Sequence, residues 1–188
     1  MFEVTTEEIV LLKEDVREQD QRVYLYTRAL GKVIAKATSS RKIVSKLAAH
    51  VEPFNLVTVK LVSKNDGAEG KNLQLTDALI TDPASLLKKD PQRLIQAVKV
   101  CELIQKSIPV GVPDEDLWDL LQTLRSGNGN ITLHRALHAL GFNAQFARCQ
   151  LCDRTQPEYF APGENFFICT ACTFNAQRHD AGFIKVAI

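Results

Sequence analysis

The chain has 188 residues, 45% of them hydrophobic and 24% charged, with a formal net charge of +1. That length suits one or two cored domains, and the ordinary composition excludes a disordered or collagen-like chain. The N-terminal MFEVTTEEIV is acidic and no apolar run reaches membrane-spanning length, so the sequence predicts a cytoplasmic protein with no signal peptide and no membrane contact.

The first eighty residues read as strands. Glu8 to Lys13 holds the apolar run IVLL, followed by the polar loop EDVREQDQ. Val23, Leu25 and Thr27 alternate with Tyr24 and Tyr26, the period of a strand. Gly31 breaks that pattern as a hairpin turn would. Val33, Ala35 and Ala37 then alternate with Lys32, Ile34 and Lys36, which puts Lys32 and Lys36 on one face. Thr38-Ser39-Ser40 offers N-cap oxygens to a short helix carrying Ile43, Val44, Leu47 and Val51, with Lys42 and Lys46 four apart on another side and Pro53 as its end. Val57, Val59 and Leu61 give a fourth strand. Asn65-Asp66-Gly67 and Gly70 form a turn, and Leu73, Leu75 and Asp77 suggest a fifth and last strand. Five strands with a helix between the third and fourth is the order of the OB-fold, and also of other small β-barrels.

After Asp82-Pro83 the periodicity becomes helical. Leu86 and Leu87 sit in a short segment ended by Asp90-Pro91. Leu94, Val98, Cys101, Leu103, Ile104 and Ile108 trace the buried stripe of a longer helix, in which Cys101 reads as an inert core thiol. Asp114, Glu115 and Asp116 complement the dipole of a helix carrying Leu117, Trp118, Leu121 and Leu124, and with Asp119 they form a solvated acidic edge. Leu133, Leu137 and Leu140 mark one more helix before Gly141. The expected fold is α+β: an OB-fold β-barrel over 1–80, a small helical domain over 81–145, and a zinc-ribbon-like module over 146–188.

Two features carry chemistry. Between Arg22 and Lys60 stand eight basic residues (Arg22, Arg28, Lys32, Lys36, Arg41, Lys42, Lys46 and Lys60) and one acid, Glu52, a local excess of seven positive charges. So one-sided a segment, with Tyr24 and Tyr26 threaded through it, suits a polyanion, with bases stacking on the tyrosines if their rings face outward; a solvated, solubilising strand face with core tyrosines is the other reading. The second feature is Cys149-Gln-Leu-Cys152 followed after sixteen residues by Cys169-Thr-Ala-Cys172. Two such knuckles suit one tetrahedral structural Zn2+ held by four thiolates, with no position left for a reacting water. Phe160, Phe166, Phe167, Phe174 and Gly163 fit strands of that module. Arg148, Arg154, Arg178 and Lys185 lie in or beside it, placed to touch phosphates or simply to be solvated.

Other patterns do not add up to enzymes. His134 and His138 lie four apart on a helix, but Arg135 stands where a zinc protease needs its glutamate. His50-Val-Glu52 matches the H-x-E of zinc deaminases without their proline before the cysteine pair. No phosphate-binding loop, Rossmann or serine-hydrolase motif occurs, so no catalytic residue is assigned.

Asp15-Val-Arg-Glu-Gln-Asp20, Arg22-Val-Tyr-Leu-Tyr-Thr27, Gly31-Lys32, Arg41-Lys42, Ser45-Lys46-Leu47 and Glu52-Pro53-Phe54 resemble the N-terminal domain of the RecO family of bacterial DNA repair and recombination mediators. Leu137-x-x-Leu140-Gly141-Phe142, Arg148-Cys149-x-x-Cys152 and the second cysteine pair continue the resemblance over nearly the whole chain. It implies binding of single- and double-stranded DNA, annealing of complementary strands, and help in loading RecA on DNA coated by single-strand-binding protein (SSB), together with RecR and without catalytic turnover. It also implies docking of the SSB C-terminal tail on the helical domain, and association with the bacterial nucleoid. The family's DNA-contacting positions carry over to Lys32, Lys36, Arg41, Lys42 and Lys46, and further to Arg22 and Arg28. Two departures stand out: Thr38-Ser39-Ser40 makes the loop after the third strand less basic, and RecO proteins continue with more helix after the zinc module. The rival reading is a zinc-ribbon adaptor that binds a protein partner and does not anneal.

Overall fold

The computed structural model describes residues 2–16, 20–38, 47, 49–63, 73–127, 131–175 and 182–186. Five strands come first: β1 (Phe2–Asp15), β2 (Gln21–Thr27), β3 (Gly31–Ala37), β4 (Leu56–Ser63) and β5 (Leu73–Asp82). They close into a barrel of order β1-β2-β3-β5-β4, the β4 edge returning to β1. β1 makes closure possible because it is long. Its first half, Phe2 to Ile9, pairs with β4, and its second half, Glu8 to Asp15, pairs with β2, with a bulge between Val10 and Leu12. A bulge adds local bend and twist, which lets one strand serve two sheet faces. The seam between β3 and β5 is a short parallel pairing at Ala35–Leu73 and Lys36–Gln74. This is the expected OB-fold arrangement.

Alternation sets the core as predicted. Val23 and Leu25 of β2, Val33, Ala35 and Ala37 of β3, and Val57, Val59 and Leu61 of β4 point inward with Val10, Leu73 and Leu75. The first part of β1, not expected to be strand, is one: Phe2 and Val4 lean on this core, while Glu3 and Thr5 are exposed. The helix expected after Thr38 falls mostly outside the described residues. Of that stretch, the Val51 amide donates to the Leu47 carbonyl in a turn (3.2 Å), and both side chains pack on the barrel core. The turn expected at 65–70 also lies outside the described residues.

Helices follow: α1 (Ser85–Lys88), α2 (Pro91–Ser107), α3 (Glu115–Ser126) and α4 (Leu133–Ala139). Asp114 caps α3, accepting from the Leu117 amide at 2.9 Å, and Gly127 ends it with a left-handed φ of 69°. Thr132 caps α4. The last elements are β6 (Tyr159–Ala161), β7 (Phe166–Ile168), α5 (Thr170–Asn175) and β8 (Ile184–Lys185), the strands in the order β7-β6-β8. Phe174, expected in a strand, lies in α5 and is exposed. A cysteine knuckle leading straight into a helical turn explains the difference: the Cys172 and Thr173 amides both turn back to the Cys169 carbonyl at 3.0 Å.

The chain divides into two compact units, 1–94 with 108–130, and 95–107 with 131–188. The first holds the barrel, α1, α3 and the strap 108–114. The second holds most of α2, α4 and the cysteine-bearing sheet. Its core includes Phe160, stacked obliquely on Phe142 (4.8 Å) and edge-on to Phe167 (5.0 Å). No described helix is long and apolar enough to cross a membrane.

Candidate nucleic-acid interface and metal centre

The cations of β2 and β3 sit on the outward face, as the alternation of their inward neighbours requires. Arg22 and Lys36 are direct cross-strand partners in the β2–β3 ladder, and both are about half exposed. They form one cationic spot near the seam with β5. Lys32, on the same face of β3, does not share their exposure. The segment after α2 lies over it: Lys32 and Val110 form a parallel bridge, the Gly111 amide donates to the Lys32 carbonyl (2.9 Å), and the Lys32 ammonium donates to the Ile108 carbonyl. The residue is 5% exposed, and burial pulls its ammonium down to about 8. Periodicity thus placed Lys32 and Lys36 on one face, as expected, but tertiary cover buries one of them.

The tyrosines are on that outward face too, yet neither offers an open ring. Tyr26 is fully covered. Its hydroxyl accepts from the Asp114 amide (3.0 Å) and donates to the Asp114 carbonyl (3.2 Å), and burial pushes it up to about 12. Tyr24 is 5% exposed and donates to Glu14 at 2.9 Å. Base stacking on these two rings is therefore not what this arrangement offers.

The other described cations of the basic stretch are each engaged by an acid. Arg22 faces Glu14 at 3.7 Å, Lys36 faces Asp20 at 2.8 Å, and Lys60 faces Glu3 at 2.8 Å. Arg28 forms a forked pair with both oxygens of Glu115, at 2.8 and 3.0 Å, and this pair raises the guanidinium still further. Sequence reading missed these acids because Glu14 and Asp20 looked like loop and Glu115 like a solvated edge. The excess of seven charges counted along the chain is therefore partly offset in space. Arg41, Lys42, Lys46 and Arg178 lie outside the described residues.

The cysteines converge. Cys149, Cys152, Cys169 and Cys172 bring their sulfurs within 4.8 Å of one another. Four thiolates about 2.3 Å from one ion stand roughly 3.8 Å apart, so the set fits a tetrahedral, thiolate-preferring metal such as zinc. The first knuckle is shaped by the Arg148–Thr155 bridge, by the Cys149 amide to the Arg154 carbonyl (2.8 Å), and by Asp153 with φ 57°. The Gln150 amide ties it to Phe167 of β7 (2.9 Å). Burial would lift the Cys149 thiol, but backbone amides led by that of Cys169, 3.4 Å from the sulfur, pull it down to about 6. Cys172, beside the Cys152 sulfur, is held up to about 12. Four thiols this close cannot all ionise without a shared cation, which is what such a cluster is suited to hold.

The decoys have ordinary roles. Among the described residues His134 and His138 join no group of three potential ligands. The His50 ring accepts from the Ile80 amide (3.3 Å), and Glu52 pairs with Lys13. Arg148 is tied to Asp153 (2.7 Å), while Arg154 and Lys185 are exposed. Cys101 is fully buried, which pushes its thiol far up and leaves it inert.

Comparison with known proteins agrees with both halves. Residues 1–77 match the family described as Recombination protein O N terminal, and residues 88–181 match Recombination protein O C terminal. The chain is 29% identical over 171 residues to a DNA repair protein RecO from an Exiguobacterium strain, covering 86% of this chain and 67% of that one. It is 26% identical over 179 residues to the protein of that name from Thermodesulfovibrio yellowstonii, covering 90% and 70%. A Roseiflexus counterpart is 29% identical over 180 residues, covering 89% of this chain and 61% of its own length. With the barrel matched by one half of the family's pattern and the cysteine cluster lying within the other, the chain belongs to the recombination protein O (RecO) family.

Proposed function

We propose that this chain is a non-catalytic DNA-binding protein of recombinational repair. It binds single- and double-stranded DNA, anneals complementary strands, and helps load RecA on SSB-coated DNA together with RecR. The observation that carries the reading is the coincidence of a family match over both halves with a barrel of OB order. The relatives' name supports repair, and the barrel supplies a physical route. Arg22 and Lys36 sit side by side at the end of β3 that leads into Arg41, Lys42 and Lys46. Glu14 is held in a half-exposed pair, which contributes little in water, while Asp20, itself 13% exposed, holds a half-exposed Lys36; a run of phosphates displaces these acids and gains counterion release. Neutralising one strand in this way also lowers its repulsion for a complement. On this reading Arg28 and Lys32, held by Glu115 and the strap, act behind the contact surface. The metal is zinc, in a closed scaffold site.

The test reverses charge where it is exposed. Arg22→Glu with Lys36→Glu should weaken single-stranded DNA binding at least tenfold at low salt. It should also flatten the salt dependence by roughly one to one and a half units, because two fewer phosphates are neutralised. Unchanged anisotropy titrations at two salt concentrations, with unchanged annealing, would sink the reading. A protein-binding adaptor is the second reading, favoured by the exposed Phe146, Leu151 and Phe174 around the cysteine module. A stable protein partner together with no annealing activity would support it.

A further inference from the structure

The barrel contains a carboxyl group that neither DNA binding nor the metal site uses. Glu8 lies at the one stretch where β1 is paired on both sides. Its cross-strand neighbours are Thr27 of β2 and Val57 of β4. Direct partners in antiparallel strands share a face. Val57 belongs to the barrel core, and Val10, two residues along β1, does too. Glu8 therefore points inward, and it is 0% exposed. Neither of its oxygens has a hydrogen-bond partner among the described residues. The Thr27 hydroxyl, on the register partner of Glu8, accepts from the Leu30 amide at 2.7 Å.

No opposite charge faces it among the described residues. The inward positions are Val23, Leu25 and Thr27 on β2, valines and alanines on β3, Val57, Val59, Leu61 and Ser63 on β4, and Leu73, Leu75 and Ala78 on β5. The titratable groups of these strands lie on the outward face or at exposed positions: Arg22, Tyr24 and Tyr26 on β2, Lys32 and Lys36 on β3, Lys60 on β4, and Asp77 and Asp82 on β5; on β1 itself Glu3, Glu7, Glu14 and Asp15 are exposed, and Lys13, opposite Val23 at the far end of the strand, is paired with Glu52. Leu47 and Val51, which pack on the same core, are apolar.

We propose that Glu8 is a proton-operated weak point of the barrel: the closed barrel holds it as the neutral acid, and ionising it loosens the junction of β1 with β2 and β4. An unpaired carboxylate in an apolar interior is far costlier than the acid, and this burial raises Glu8 well above an ordinary glutamate. In the unfolded chain Glu8 loses its proton near pH 4.3, as a free glutamate does. Folding above that pH takes one proton from water on to Glu8. The barrel is thus at full strength below the unfolded value. It weakens as pH rises, up to the folded value, by as much as tenfold in the folding equilibrium per pH unit.

The experiment uses the full chain and the single tryptophan, Trp118, which is buried in the barrel's own unit. Urea unfolding followed by Trp118 fluorescence is measured from pH 5 to 7.5 in the native chain and in Glu8→Gln. The lower edge lies above ordinary glutamates, and the upper edge below the titration of Lys32. The native chain should lose folding equilibrium relative to Glu8→Gln at every step, up to tenfold per unit; the histidines and Cys149 are common to both chains, so the difference between them reports Glu8. Parallel midpoints across the range would overturn the proposal. If Glu8→Gln does not fold, carbon-13 labelling of the native chain decides. A Glu8 carboxyl still protonated at pH 7 supports the weak point, and one titrating with the other glutamates refutes it.

Discussion

Arg125 shows how much a single side chain can organise in this protein. It sits in the last turn of α3, where a basic residue complements the helix dipole and is ordinarily solvated. It is buried instead. Its guanidinium donates to the Phe54 carbonyl and the Asp82 carbonyl (both 3.3 Å), to Gln122 (3.1 Å), and pairs with the Asp82 carboxylate at 2.9 Å. That hydrogen bond holds the Asp82 carboxyl below its ordinary range. Phe54 adopts a left-handed φ of 69°, so the arginine also fixes a strained corner just before β4. Arg125→Met should cost about 2–4 kcal/mol, because two backbone carbonyls lose their donor and the methionine cannot replace it. Urea unfolding by Trp118 fluorescence measures this, and a change under about 0.5 kcal/mol would mean the corner holds itself. Arg125 and Lys32 were illegible for one reason: periodicity tells which way a side chain points, but not what distant segment covers it.

At the level of elements, β3 shows both sides of that limit. Its inward Val33, Ala35 and Ala37 and outward Lys32, Ile34 and Lys36 were readable from alternation alone. The strap across its outer face was not, because residues 109–113 carry no periodic signal and Ile108, expected in the helix stripe, lies just past the end of α2 at Ser107. Gly31 is the residue that the strap makes indispensable. It has φ 66°, and a Cβ there would lie 2.0 Å from the Val112 carbonyl oxygen. The atom it meets is backbone and cannot swing away. Gly31→Ala should therefore destabilise the first unit by at least about 2 kcal/mol, seen as a lowered thermal midpoint, whereas a glycine serving only as a hairpin turn would lose less. Helices α3 and α4 were legible because their caps and apolar stripes are local. The first half of β1 was missed because Glu3, Thr5 and Glu7 dilute a pattern that Phe2 and Val4 do carry. The barrel order followed from the strands because few topologies close five of them.

For the whole molecule, the cysteine cluster was the most legible feature and the division into units the least. Each C-x-x-C is set by one tight turn, so spacing alone brings two sulfurs together, and the sixteen residues between pairs leave room for β6 and β7. The division depends on contacts remote in sequence. Because the cysteines belong to the second unit, Cys149→Ser or metal removal by a chelator should unfold the β7-β6-β8 sheet. The Trp118 transition of the first unit should stay within a few degrees of its original midpoint. Loss of both together would show that the metal supports the barrel as well. Metal content by elemental analysis should come to one zinc per chain.

The interleaving of the two units also has an order in time. A chain leaves the ribosome from its N-terminus, and domains generally fold as they emerge. All five barrel strands are complete by Asp82, while the strap that covers Tyr26 and Lys32 begins only at Ile108. A barrel that closed before the strap arrived would carry a bare aromatic ring and a fully charged lysine on its outer face. Such a barrel would leave open in the newborn protein a surface that the finished one closes.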